Sequence, residues 1–150
     1  MNKKTDENEF KINRNIFLSK LKDIIDINLI DISKDDWIID SVNDLYISFY
    51  GNELIVGFHT EHKHFGEIYG HENNTFIDEA LLLIKDLLGG QTRFEFTYRG
   101  KREIHLAYYI KQKSSDYWKK YESYNTSLFG FLIPFPHKTI KEIIIEFKQQ

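Results

Sequence analysis

Leu45-Tyr46-Ile47-Ser48-Phe49-Tyr50-Gly51-Asn52-Glu53-Leu54-Ile55-Val56-Gly57-Phe58-His59 is the stretch on which the reading of the fold depends. Leu45, Ile47 and Phe49 alternate with Tyr46, Ser48 and Tyr50. Leu54, Val56 and Phe58 then alternate with Ile55, Gly57 and His59. Successive strand residues point to opposite faces, so each run has one apolar face fit for burial. Gly51-Asn52 between the runs supplies a tight turn. The stretch is therefore an antiparallel hairpin.

Working outward, Thr75 followed by Asp78 gives a capping-box-like helix start. Ile77, Ala80, Leu81, Ile84, Leu87 and Leu88 form one stripe at helical spacing, and Gly89-Gly90 stops it. A second hairpin follows. Phe94, Phe96 and Tyr98 lead into Arg99-Gly100-Lys101-Arg102, and Ile104, Leu106, Tyr108 and Ile110 return. Upstream, Phe17, Leu18, Leu21, Ile24 and Ile25 fit a first helix ending near Asp26, with Asn13 as its N-cap. Asp31 to Asn43 reads as loop with a short extended piece at Trp37-Ile38-Ile39.

Tyr117, Trp118 and Tyr121 would share a face if residues 114–125 were helical, and Leu128 to Ile133 reads as a short strand before Pro134 and Pro136. Ile140, Ile143, Ile144 and Phe147 fit helical spacing, yet three successive isoleucines favour a strand, which is the reading adopted. The sum is an α+β domain: an antiparallel sheet of two hairpins plus C-terminal strands, with two helices packed on one face. A polar tail over residues 1–9 is expected to be disordered, with residues 10–150 as a single domain.

The composition excludes several function classes. The chain has no cysteine, so disulfides and thiol catalysis are ruled out. A net charge of −3 gives no overall bias toward nucleic acid. No apolar run approaches the roughly 20 residues that span a bilayer, and no apolar segment follows the first basic residues, so a cytoplasmic protein without a membrane contact is expected. Gly-x-Ser-x-Gly and phosphate-loop patterns are absent. Glu95 and Glu103 could face each other across the second hairpin, but a solvent-facing charge ladder with Arg93 and Arg102 is the simpler reading. Aromatics interleave with bases in that hairpin, yet alternation sends them to the core and away from any stacked base.

Two features remain as candidate sites. Four of the six histidines fall between His59 and His71. His59, His62, His64 and Glu67 supply enough imidazole and carboxylate for a zinc site, which needs three or four converging ligands. Their spacing matches neither His-Glu-x-x-His nor the cupin pattern, so solvated or strand-end histidines are the stronger reading and no cofactor is expected. The second feature is acidic. Seven aspartates against one lysine lie between Asp23 and Asp44. Asp31, Asp35, Asp36 and Asp40, with Trp37 as an aromatic anchor, would suit a basic protein partner, although Trp37 could equally belong to the core.

The strands from Asp44 to Tyr50 and Leu54 to His59, then His62-Lys63-His64-Phe65, the helix to Leu88, and Phe94-Glu95-Phe96-Thr97-Tyr98-Arg99-Gly100-Lys101 carry a resemblance. Over roughly residues 44–111 the chain resembles small bacterial α+β proteins that are similar to immunity proteins of polymorphic toxin systems. The resemblance implies a cofactor-free protein that binds a toxin. The acidic N-terminal segment and the aromatic C-terminal third depart from that pattern. The expectation is thus a non-enzymatic binding protein neutralising a toxin by surface complementarity, with a metal-dependent hydrolase using the histidine cluster as the competing reading.

Overall fold

The hairpin forms as the alternation dictates: β2 (Leu45–Tyr50) pairs antiparallel with β3 (Glu53–Phe58), in register Ile47 to Val56. In a computed structural model that describes residues 14–51, 53–66, 75–127 and 137–149, these strands lie at the centre of a four-stranded antiparallel sheet. Its order is β1-β2-β3-β4, with β1 (Asp36–Asp40) and β4 (Glu61–Phe65) at the edges. The residues 1–13, Asn52, 67–74, 128–136 and Gln150 lie outside the described set. The expected tail, the Asn13 cap, and the strand from Leu128 to Ile133 all fall there.

One face of this sheet is sealed. Trp37, Ile39, Leu45, Ile47, Leu54, Val56, Phe58 and Phe65 are each at most 2% exposed. Helix α1 (residues 14–21) lays Phe17 against them, 6.3 Å from the Trp37 ring and 5.8 Å from the Phe49 ring. The helix stops five residues earlier than the periodicity suggests. Its end tightens, with Ile24 N–H donating to the Leu21 carbonyl at 2.9 Å, and Asp26 then caps a separate 3-10 turn, Ile27–Leu29, by accepting from Asn28 N–H. Helix α2 (Thr75–Gly89) runs as expected, with Phe76, Ile77, Ala80, Leu81, Leu83, Ile84 and Leu87 buried.

The described residues cluster into two compact units, residues 1–88 with 147–150, and residues 89–146. The second unit holds the other hairpin, β5 (Gly90–Arg99) and β6 (Arg102–Gln112), in a sheet of order β7-β6-β5-β8. A Cβ on Gly90 would fall 2.2 Å from the Lys111 carbonyl oxygen, so the start of β5 needs a residue without a side chain. β8 (Lys138–Ile145) is a strand, as the isoleucine run suggested, and β7 (Lys119–Tyr124) replaces the helix entertained there. The α+β class holds, but the two hairpins belong to separate sheets rather than one. Each recruits its own edge strands: β1 and β4 for the first hairpin, β7 and β8 for the second.

Phe94, Phe96 and Tyr108 of the second sheet are at most 9% exposed, which fits the core role expected of these aromatics. Glu95 pairs with Ala107 and Glu103 with Tyr98, so the two carboxylates are not opposite one another. No helix among the described residues is long and apolar enough to cross a membrane.

Candidate functional site

The described part of the histidine stretch, residues 59–66, is a turn and a strand. His59-Thr60 turns the chain from β3 into β4, with His59 at φ 55, a left-handed backbone that is sparsely populated by residues other than glycine. His59 N–H donates to the Asn43 carbonyl at 3.1 Å, which pins this turn to the one before β2. β4 then returns antiparallel, pairing Gly57 with His62 and Ile55 with His64. His62 and His64 therefore share one face, with ring centroids 5.0 Å apart. His64 Nδ1 shares a hydrogen bond of 2.9 Å with Glu53 Oε2. Among the described residues no group of three or more His, Asp or Glu could hold a metal ion. Glu67, the fourth ligand expected from the sequence, lies outside the described residues.

The five acidic-segment residues separate by burial. Asp31 and Asp35 are exposed but locally engaged. Asp31 accepts from Ser33 Oγ at 2.5 Å and from Ser33 N–H at 3.2 Å, and it pairs with Lys34 at 3.2 Å. The Ser33 hydroxyl first, then Lys34 and the Ser33 amide, hold its carboxyl below the ordinary carboxylate range. Asp35 meets Arg14 at 3.4 Å. The same guanidinium lies 5.0 Å from the Trp37 ring centroid and 5.1 Å from that of Phe49, and it donates to the Ile32 and Lys34 carbonyls.

Trp37 is not a surface anchor. It is 1% exposed, with its ring 4.7 Å from Phe49 and its indole N–H donated to the Lys34 carbonyl at 3.0 Å. Strand alternation on β1 sends Trp37 and Ile39 inward and leaves Asp36 and Ile38 outward. Asp40 is also removed from the surface, because the register of β1 shifts between Ile38 and Asp40 and turns its side chain in. Its Oδ1 accepts from the N–H groups of Val42 (3.0 Å) and Asn43 (3.1 Å), and its Oδ2 from Asn43 Nδ2 (2.8 Å) and Lys148 N–H (2.9 Å). Burial pushes this carboxyl up. The four hydrogen bonds outweigh that and leave it below the usual carboxylate range. Asp40 is a structural lock.

Asp36 lines an open groove. The face of the first sheet away from its core carries two cross-strand rows. One runs Asp36, Ser48, Ile55, His64, and the other Ile38, Tyr46, Gly57, His62. All of these but Gly57 line a groove of about 560 Å³ that also takes in Ser41, Asp44 and Leu45. Its floor depends on a missing side chain. A Cβ on Gly57 would fall 2.1 Å from Cε1 and Cζ of Tyr46 and 2.6 Å from its hydroxyl oxygen, so the hydroxyl end of the Tyr46 ring occupies the space above Gly57. Small-residue gaps covered by a cross-strand aromatic ring stabilise such pairs.

Ile38 is 56% exposed and Tyr50 75% exposed on this face. Asp36 and Asp44 sit on the β1 side, and His62 and His64 form the wall on β4. The acidic run did signal Asp36. The groove itself was not anticipated, because it depends on β4 lying beside β3. No protein-family model, curated protein or solved structure matches this chain.

Proposed function

We propose that this protein works by binding rather than by chemistry, as a cytoplasmic immunity-type protein that neutralises a bacterial toxin domain through surface complementarity. One observation carries the reading: the outer face of the first sheet exposes Ile38 in one groove with the carboxylates of Asp36 and Asp44, and Tyr50 is exposed farther along the same face of β2. A four-stranded antiparallel sheet with one packed face ordinarily turns polar residues to water on the other. Exposed apolar side chains ringed by charge mark a contact surface. Exposed Asp31 and Asp35 extend the acidic border along the segment before β1. Acidic borders speed the encounter with a basic partner, and apolar area holds it once docked. Trp37 and Asp40 serve this surface from beneath, as core and lock. Among the described residues the ligands of the zinc hydrolase reading do not converge: His62 and His64 share a face, while His59 is set apart in the turn.

The test is co-expression with each polypeptide encoded by the genes flanking this one, after each has been scored alone for toxicity. The binding reading expects restored growth and a stable complex. Asp36→Lys should slow association at low salt more than it speeds dissociation. Turnover of a substrate by the purified protein, lost in both His62→Ala and His64→Ala, would overturn it.

A further inference from the structure

The chain holds two of its own arginines in the same manner. Arg14 lies over Trp37 and Phe49 with Asp35 at its edge. Arg93 lies 4.5 Å from the Tyr109 ring centroid and 5.0 Å from that of Trp118, with Glu142 at 3.7 Å. Each site combines an aromatic face with a carboxylate, the pairing that suits a planar guanidinium better than an ammonium.

The groove on the first sheet has the same parts and no arginine or lysine of its own among its described lining residues. Tyr46 supplies the ring, held in place over Gly57, while Ile38 and Ile55 supply apolar floor. Asp36 and Asp44 are exposed, and neither makes an ion pair among the described residues. They stand at opposite ends. Asp36 lies across from Ser48, and Asp44 sits in the turn just before β2, so about 10 Å of strand rise plus one turn residue separates it from Ser48, on the order of 10–13 Å in all.

We propose that this groove is the docking site for a basic surface of the protein partner, taking two arginine side chains, one at Asp36 and one at Asp44, across the Tyr46 ring. The proposal rests on the binding reading above and adds to it the chemical group recognised and its place. Arginine stems lie along Ile38 and Ile55, and the guanidinium planes meet the carboxylates at the two ends. Two engaged ends linked through one partner reinforce each other, since the second contact is intramolecular once the first has formed.

The probe is an acetylated, amidated pentapeptide with arginine at its first and last positions and Ser-Ala-Ser between. When extended, its two side chains are spaced about 13 Å apart. The control replaces both arginines by citrulline, which keeps the shape and removes the charge. Binding is followed by NMR of isotope-labelled full-length protein, reading the isoleucine methyls and the His62 ring.

Saturable shifts centred on Ile38 and Ile55 are expected, with the citrulline peptide at least tenfold weaker. Asp36→Asn and Asp44→Asn should each weaken the arginine peptide about fivefold, the size of one partly exposed charge contact. Both variants are isosteric and exposed, and their unperturbed amide spectra verify the fold. Equal binding of the citrulline peptide, shifts centred away from the groove, or full affinity in the double variant overturns the proposal. If a toxin complex forms but is indifferent to both substitutions, the docking site is wrong and the binding reading stands. If the arginine peptide binds as described and no toxin is neutralised, the binding reading fails and the arginine preference of the groove is left intact.

Discussion

Replacing Asp40 by alanine tests the buried lock directly. Its carboxylate accepts four hydrogen bonds between 2.8 and 3.1 Å, one of them from a residue 108 positions away in the chain. A hydrogen bond to a charged group contributes about 1.5–3 kcal/mol net, which sets an upper bound well above the expected loss. Two effects reduce it. Alanine also removes the cost of burying the carboxylate, and water can reach the turn, where Val42 is 71% exposed.

A loss of about 2–4 kcal/mol is therefore expected for Asp40→Ala, and about half that for Asp40→Asn, whose amide oxygen replaces only one of the two carboxylate oxygens. The assay is urea unfolding followed by tryptophan fluorescence in a Trp118→Phe background, so that Trp37 reports its own unit. The fold lowers the Asp40 carboxyl, so its contribution is complete above the unfolded value near 3.9 and is lost as pH falls through the lower native value. The gap between wild type and Asp40→Asn should hold steady above about pH 5 and narrow as the medium becomes more acidic than about pH 4. A loss under about 1 kcal/mol for Asp40→Ala, or a gap that widens in acid, would refute the assignment of Asp40 as a charged lock.

Other substitutions probe the groove and the two cores. Gly57→Ala should cost about 1–3 kcal/mol by displacing the Tyr46 ring, and much less in a Tyr46→Ala background; additive losses in that double-mutant cycle, read by thermal unfolding, would contradict the contact. Trp37→Ala should cost about 3–5 kcal/mol in the same urea assay, against the near-zero cost of trimming a surface anchor. Asp44 has φ 56, so Asp44→Asn should leave the melting temperature unchanged while Asp44→Val lowers stability by about 1–2 kcal/mol, measured by calorimetry. Arg93→Lys should cost about 1 kcal/mol, since an ammonium lacks the planar guanidinium that meets the Tyr109 and Trp118 rings; a neutral result by denaturant titration would remove that argument.

The hairpins and α2 were legible because their apolar residues recur with a clear period, as in Leu45, Ile47 and Phe49. β4 was not legible, for two physical reasons. Glu61-His62-Lys63-His64-Phe65 has one strongly apolar residue, so alternation leaves no hydrophobic signature. The turn before it places a histidine at positive φ, where sequence rules look for glycine or asparagine. That missing strand is why the groove was missed, since His62 and His64 form its wall. Trp37 was ambiguous because its neighbours in sequence are acids. Only the pairing of β1 with β2, Trp37 opposite Ile47, shows that it belongs to the inner row. Asp36 is exposed on β1, as simple alternation with Trp37 requires, whereas the inward turn of Asp40 depends on a register shift that no local pattern announces.

The hydrogen bond from Lys148 to Asp40 also bears on the order in which this polypeptide can mature as it is synthesised. Along the sequence, the unit Gly89–Glu146 interrupts the first, which resumes at Phe147. A ribosome therefore produces the whole second sheet before it produces the strap, Phe147 and Lys148, that completes the first. Until then the Asp40 carboxylate lacks one of its four donors and the hydrophobic site filled by Phe147, 1% exposed in the finished fold, stands vacant. The earlier unit therefore cannot close before β8, the last strand of the later one, has been made, and the two sheets reach their final packing at nearly the same moment.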